Sequence, residues 1–226
     1  MRRYTRYITL LLLLSGCNSQ KPLTAELVPQ SLKAINLEET ISRRDEVMMA
    51  YSITSYDARN KPVAVVNGGW GVEPMATGQQ ANLATAQPIS LAVPKNGKIV
   101  ASLVLIEVDD YARAQQALDQ IRRIHNVVSL PASVLLTATE VLTPLKYVTA
   151  GLVAAGVGIR LLDRVDADEL LGQSSIELSE QELRAKKERT FQVPATFSGR
   201  HLRDRYAYEL VYDIRLKTMK IRPKTQ

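Results

Sequence analysis

The clearest pattern of apolar and polar positions lies in RYAYELVYDIRLKTMKIRP, which begins at Arg205. Two sets of residues alternate there: Tyr206, Tyr208, Leu210, Tyr212, Ile214 and Leu216 against Ala207, Glu209, Val211, Asp213 and Arg215. Successive side chains of a β-strand point to opposite faces, so this alternation predicts a long, half-buried strand. Pro223 closes it.

Shorter runs of the same kind predict the other strands, at 31–37, 45–57, 61–69, 87–110 and 172–183. The fourth run contains two strands, because Pro94-Lys95-Asn96-Gly97 is typical of a hairpin turn. The last runs into a polar turn. These strands follow one another instead of alternating with helices, which predicts a mainly β, antiparallel protein.

One segment between the strands has helical periodicity. In YARAQQALDQIRRIH (111–125) apolar residues recur at Ala114, Ala117, Leu118, Ile121 and Ile124. Residues 126–162 are apolar and sparsely charged, and Pro131 and Pro144 divide them into two or three short helices. The run 147–159 is too short for a membrane span, so buried packing is favoured, with membrane-surface or partner contact as the alternative.

The first residues, MRRYTRYITLLLLLSGCNSQ, predict an export signal, with a basic start and an apolar core at 8–14. The tetrapeptide LSGC (14–17) resembles the bacterial lipobox. The resemblance implies a signal peptide at 1–16 and a diacylglycerol on the sulfur of Cys17, the only cysteine in the chain. A chance cysteine in an ordinary signal peptide is the alternative.

A lipidated Cys17 predicts stable membrane attachment without a transmembrane helix. Residues 17–30, with Pro22 and Pro29, are predicted to be the lipidated cysteine and its tether. In Gram-negative lipoproteins an aspartate after the cysteine marks the inner membrane. If the host is Gram-negative, Asn18 therefore implies the outer membrane, with the protein facing the periplasm or the cell surface.

Charge argues against nucleic-acid binding. Without Arg2, Arg3 and Arg6 of the signal peptide, 26 basic residues face 23 acidic ones, so the net charge falls from +6 to +3. The basic run 184–189 is predicted to be a solvated loop.

The sequence gives little indication of an enzyme. The chain has only two histidines, His125 and His201, and no Gly-x-Ser-x-Gly, P-loop or dinucleotide motif. A non-enzymatic protein is therefore expected. A hydrolase of envelope material that uses paired carboxylates is an alternative.

The glycine-rich stretch NGGWGVE (67–73) contains the only tryptophan, Trp70. On a loop, Trp70 is a candidate binding aromatic. A tryptophan that covers the end of the core is the alternative.

Three segments together resemble the calcium- and lipid-binding C-two domain: RRDEVMMAYSI (43–53), LIEVDD (105–110) and DADELLGQSSIEL (166–178). The resemblance implies an antiparallel β-sandwich of about eight strands, built from 31–110 and 166–222. An α-helical insertion of about 50 residues, 111–165, interrupts one loop of that domain.

The resemblance also implies a calcium site at one end of the sandwich. Its candidate ligands are the carboxylates of Asp45, Asp109, Asp110, Asp168 and Glu169. Calcium needs six to eight oxygen ligands. The alternative is that these side chains face water or pair with nearby arginines.

These observations predict a lipid-anchored, non-enzymatic envelope protein. It is expected to act as a binding or structural module through its insertion and loops, with an envelope protein as partner. A calcium-dependent lipid- or protein-binding module is the first alternative, and the hydrolase is the second.

Overall fold

The computed structural model describes residues 21–37, 44–123, 128–129, 143–154, 170–186, 188–201 and 204–218. These residues form nine strands and three α-helices. In chain order the elements are β1 (Leu23–Asn36), β2 (Asp45–Tyr56), β3 (Pro62–Met75), β4 (Ile89–Val93), β5 (Lys98–Glu107), α1 (Tyr111–Arg123), β6 (Val128–Ser129), α2 (Pro144–Ala154), β7 (Leu170–Ser179), α3 (Glu180–Ala185), β8 (Thr190–His201) and β9 (Asp204–Thr218). A short 3-10 helix, Leu83–Thr85, precedes β4.

The strands form two antiparallel sheets. One has the order β4-β1-β9-β8 and the other the order β6-β3-β2-β5-β7. The predicted mainly β, antiparallel class is confirmed, and so is the number of about eight strands, since β6 has only two residues. The inner faces of both sheets meet in one core. Its largest fully buried side chains include Trp70, Tyr51, Tyr208 and Tyr212.

The five-stranded sheet is also covered on its outer face. A second apolar cluster lies there, made of Met48, Ala50, Val72, Val104, Ile106 and Val108 from the sheet side and Ala114, Leu118, Ile121 and Val148 from α1 and α2. Burial on both faces explains why β5 is a nearly continuous apolar run, whereas a half-buried strand alternates.

The helix predicted from Tyr111 is confirmed as α1, which buries Ala114, Leu118 and Ile121. Pro144 begins α2, and the hydroxyl of Thr143 accepts a hydrogen bond of 3.4 Å from the N–H of Lys146. This arrangement is an N-cap followed by proline at the first helical position. No helix among the described residues is long and apolar enough to cross a membrane.

The predicted α-helical insertion of about 50 residues is not shown, because the helices between β5 and β7 are short. Within 111–165 the described residues form α1, the two-residue strand β6 and α2. β6 pairs with β3 through Val65 and Ala64, so this segment also contributes to the sheet.

The predicted tether is too long, because β1 begins at Leu23 and not after residue 30. The two prolines suggested a linker, yet Pro29 is tolerated inside the strand. β4 pairs with β1 only from Leu23 to Leu27, and Pro29 lies beyond that pairing, beside a bulge against β9. Proline is compatible with a strand where its missing N–H is not needed by a neighbour.

The predicted hairpin between β4 and β5 is also wrong. The turn exists, with the N–H of Gly97 donating to the carbonyl of Pro94 at 3.0 Å and Asn96 at φ 55°. β4 pairs with β1, however, while β5 pairs with β2 and β7. The turn therefore carries the chain from one sheet to the other.

Candidate functional site

Three of the predicted acidic residues are described, and they lie at one end of the five-stranded sheet. Asp45 begins β2, and Val47 is paired with Glu107 near the end of β5, so Asp109 and Asp110 follow β5 at the same end. The N–H of Val108 donates to the carbonyl of Glu46 at 2.7 Å, which holds the two segments together.

The side chains at this end have different environments. Asp45 is fully buried and accepts a hydrogen bond from the hydroxyl of Tyr208 on the other sheet. Asp109 and Asp110 are exposed. Asp168 and Glu169 lie outside the described residues, as does Cys17. Within the part of the chain that is described, no three acidic, histidine or cysteine side chains are grouped as metal ligands.

The glycines around Trp70 suggested a binding loop, but Trp70 does not lie on one. It lies in β3, fully buried in the core between the sheets, and its indole N–H donates to the carbonyl of Asn82 at 3.1 Å. The alternative that Trp70 belongs to the core is therefore correct.

The glycines beside Trp70 allow close packing within a strand. A Cβ on Gly68 would lie 2.2 Å from the ring of Tyr51, and one on Gly71, which has φ 109°, would lie 2.6 Å from the carbonyl oxygen of Val47. Glycine inside a strand marks such close approaches as well as turns. The sequence pattern suggested a loop because the residues that need this space, Tyr51 and Val47, are distant in the sequence.

A second group of residues lies on the outer face of the five-stranded sheet, and sequence reasoning missed it. Ser52 of β2 is paired with Asn67 of β3 on one side and with Ser102 of β5 on the other. Residues paired across neighbouring strands share a face, so these three side chains form a row, here called the polar row. It runs across three strands beside the apolar cluster under α1 and α2.

The polar row is buried but has no hydrogen-bond partner within the described part of the protein. Ser52 and Ser102 are 0 % exposed and Asn67 is 2 % exposed. The hydroxyls of Ser52 and Ser102 and the Oδ1 atom of Asn67 lack partners. Tyr56 is buried four residues further along β2 on the same face.

Tyr56 connects this face to α2. Burial raises the pKa of Tyr56 well above its usual range, and the phenol of Tyr147 in α2 raises it further. The ammonium group of Lys98 lies 5.6 Å from the centre of the Tyr56 ring. Lys98 is also paired with Glu177 at 2.8 Å. Tyr56 is therefore a neutral hydroxyl at ordinary pH, and the cation beside it already has a counter-ion.

Other buried polar side chains find partners, which sets the polar row apart. Tyr51 donates to the carbonyl of Gln87 at 2.7 Å, and Tyr212 shares a hydrogen bond of 3.2 Å with Ser174. A buried polar group without a partner costs about 1–3 kcal/mol. In the described residues, this cost is concentrated on the face where the inserted segment meets the sheet.

The sequence does contain a signal for these residues. AYSITSY and VASLVLI place Ser52 and Ser102 inside apolar strands, and Asn67 precedes the glycines of β3. The three residues are aligned by the register of the strands, and the sequence pattern does not reveal that register.

No protein-family model matches the sequence, and a search of curated proteins found no similar sequence. The chemistry of the site must therefore be argued from its side chains. Hydroxyl, amide and phenol groups can donate and accept hydrogen bonds. These groups are those of Ser52, Asn67, Ser102 and Tyr56, and they are uncharged at neutral pH.

Proposed function

We propose that the protein is a lipid-anchored, non-enzymatic envelope protein that binds a partner. Its binding element is the segment between β5 and β7 together with the sheet face beneath it. The observation that carries this proposal is the polar row: a buried set of hydrogen-bonding groups that the described part of the protein does not satisfy. Buried polar groups without a partner are few in native proteins, and each calls for an explanation.

The outer side of α1 is the part of this element that a protein partner would meet. Ala112, Gln116, Asp119 and Gln120 are exposed there, while the opposite side of the helix is buried. Tyr111, at the start of α1, is 51 % exposed, one of two large apolar residues so exposed in the described chain. Exposed tyrosines are common in protein interfaces.

The proposed anchor rests on the sequence LSGC and its cysteine. Leu23 pairs with Thr218 and Ala34 pairs with Tyr208, so the start of β1 and Asp45 lie at opposite ends of the sandwich. The 14 residues of β1 span roughly 45 Å. This separation does not favour calcium-dependent docking of the acidic end on the anchoring membrane. The C-two-like family stays a prediction, which the two antiparallel sheets support.

Photo-crosslinking in cells tests the binding role. A benzophenone amino acid at Gln116 or Gln120 is expected to give a discrete crosslinked product. The matched control positions are Gln192 and Thr196, which lie on β8 in the other sheet. Equal products at all four positions, or none at α1, contradict the proposal.

Lipid labelling tests the anchor separately. Radiolabelled palmitate is expected to enter the wild-type protein and not Cys17→Ser, which should leave the membrane fraction. Label that persists in Cys17→Ser means that the lipid is attached elsewhere.

A further inference from the structure

The chain enters the sandwich at a point that side chains hold in place. Lys21 lies two residues before β1, and the guanidinium of Arg184 donates a hydrogen bond of 2.9 Å to its carbonyl. Arg184 is in turn held by Glu180, whose carboxylate also binds the N–H of Asn96 in the turn that links the two sheets. The backbone at Lys21 is therefore fixed beside α3.

Several surface segments meet at this end of the sandwich. β1 begins beside the ends of β4 and β9, because Leu23 is paired with Val93 and with Thr218. The β4–β5 turn leads to Lys98, which is paired with Tyr56 at the end of β2. The residues just before β8 are bonded to the last turns of β9. The β2–β3 turn, the β4–β5 turn, the segment between α3 and β8 and the end of β9 therefore form one surface.

The exposed side chains of this surface, here called the basic end, are mostly positive. Its exposed acidic residues are Glu177, Glu182 and Glu188. Asp57 is less exposed and accepts hydrogen bonds from the backbone of its own turn. The described basic residues that are exposed there are Lys21, Arg59, Lys61, Lys95, Lys186, Arg189 and Lys217.

A lipid on Cys17 brings the basic end to the membrane surface. Lys21 is four residues after Cys17, and a chain of that length spans at most about 14 Å when fully extended. Electrostatic screening at physiological salt acts over about 8 Å, so head-group charges lie within reach of the basic end. β1 runs away from this end, which leaves Asp109 and Asp110 at the far end of the sandwich.

We propose that the basic end docks on the anionic head groups of the membrane that holds the anchor, so that the sandwich stands on this end. The inference rests on the proposed lipid anchor and adds the surface through which the anchored protein meets the bilayer. Each lysine or arginine close to an anionic surface favours docking by roughly fivefold. α1 begins after Asp110, at the far end, so docking leaves Tyr111 exposed for a partner.

Energy transfer from the protein to labelled lipid tests the inference. The full-length lipoprotein is added to preformed vesicles that carry an acceptor dye on a lipid head group. A donor dye is placed on Ala58→Cys, in the β2–β3 turn of the basic end, or on Ala112→Cys, at the start of α1; both alanines are exposed. The lipid occupies the sulfur of Cys17, so only the introduced cysteine reacts.

Vesicles of phosphatidylethanolamine with phosphatidylglycerol are compared with vesicles of phosphatidylethanolamine with phosphatidylcholine. Transfer from position 58 is expected to be higher on the anionic vesicles. It should fall to the level of the neutral vesicles in 1 M salt, where charges are screened beyond about 3 Å. Transfer from position 112 is not expected to rise on the anionic vesicles.

Lys61→Gln, Lys95→Gln and Arg189→Gln together should lower the ratio of docked to undocked protein about a hundredfold and remove the increase at position 58. The matched control combines Lys33→Gln, Arg200→Gln and Arg205→Gln, which remove the same charge from exposed positions near the other end. The control is expected to keep the increase. Folding of each variant is checked by its Tm.

Three results overturn the inference. One is equal transfer from position 58 on both kinds of vesicle, in protein that floats with them; the anchor and the crosslinking from α1 are then untouched. Another is an increase that the basic-end variant retains, or that the control loses to the same extent. The third is protein that floats with neither vesicle, because the anchor is then absent and the inference fails together with it.

Discussion

The hydroxyl of Tyr208 on β9 donates a hydrogen bond to the carboxylate of Asp45 on β2, across the space between the two sheets. Both residues are fully buried. This contact joins elements 163 residues apart in the sequence. Asp45, which was predicted to be a calcium ligand, is therefore part of the core.

Tyr208→Phe is expected to lower the free energy of unfolding by about 1–2 kcal/mol, because it removes one donor from a fully buried carboxyl group. Urea unfolding at pH 7 measures the change. Tyr111→Phe is the matched control, since Tyr111 is exposed and its hydroxyl accepts a hydrogen bond from Gln115 on the helix surface. Equal effects of the two substitutions would mean that the buried contact contributes no stability.

Calcium is expected to leave the Tm of the protein unchanged between chelator and millimolar metal. A metal that binds the folded state stabilises it, and Asp45 is engaged with Tyr208 instead of facing Asp109 and Asp110. The measurement is a thermal scan of wild type beside Asp109→Asn. A calcium-dependent rise that Asp109→Asn removes supports the calcium-binding alternative.

From the contacts of Glu180 we expect the protein to lose stability in acid. Burial raises the pKa of Glu180, but the N–H of Asn96 and the guanidinium of Arg184 outweigh it and hold the pKa below its usual range. The N–H of Asn96 lies 2.6 Å from the carboxylate, and Arg184 donates to it at 2.7 and 2.8 Å. The carboxylate thus fixes the turn that links the two sheets.

A carboxylate whose pKa is lowered by folding stabilises the fold above its unfolded-state pKa, about 4.3, and that contribution is lost as the pH falls through the folded-state value. Glu180→Gln should therefore lower Tm by a few degrees at pH 7 and have little effect near pH 3. Glu177→Gln, on a more exposed ion pair, serves as control. A Glu180→Gln deficit of the same size at both pH values contradicts the electrostatic explanation.

Gly68→Ala is expected to destabilise the protein by about 1–3 kcal/mol through overpacking. The added Cβ would lie 2.2 Å from the ring of Tyr51, whose hydroxyl is fixed by Gln87. Gly69→Ala is the comparison, because its nearest contact is the flexible end of Leu118 at 2.7 Å. Chemical denaturation of both variants measures the difference, and equal losses would show that Tyr51 moves aside.

Local sequence patterns predicted which segments form strands and helices better than they predicted which strands pair with each other. The alternation in β9 and the helical spacing in α1 are each properties of one segment, and both predictions are confirmed. The turn at Asn96 was also found, but its strands pair elsewhere, because pairing is decided by burial between distant segments.

Two elements were missed for identifiable reasons. β8 was not predicted, because it contains Pro194 and Gly199. Both residues are tolerated there because β8 is an edge strand, paired only with β9 among the described residues. Ser179 and Glu182 form a capping box that begins α3, a signal present in the sequence and interpreted as a polar turn.

The site was the least predictable part. The acidic residues that are described lie at one end of the five-stranded sheet, but the direction of the Asp45 side chain depends on Tyr208, far away in the chain. The polar row exists only once β2, β3 and β5 are in register, so no single segment reveals it.

The pairing of β1 with β9 has a consequence for how the protein is made. Among the described strands, the first, β1, pairs with the last, β9, so the four-stranded sheet cannot close until the chain has been synthesised as far as Thr218. Until then β1 keeps one edge unpaired, and such a chain is exposed to aggregation or to capture by chaperones.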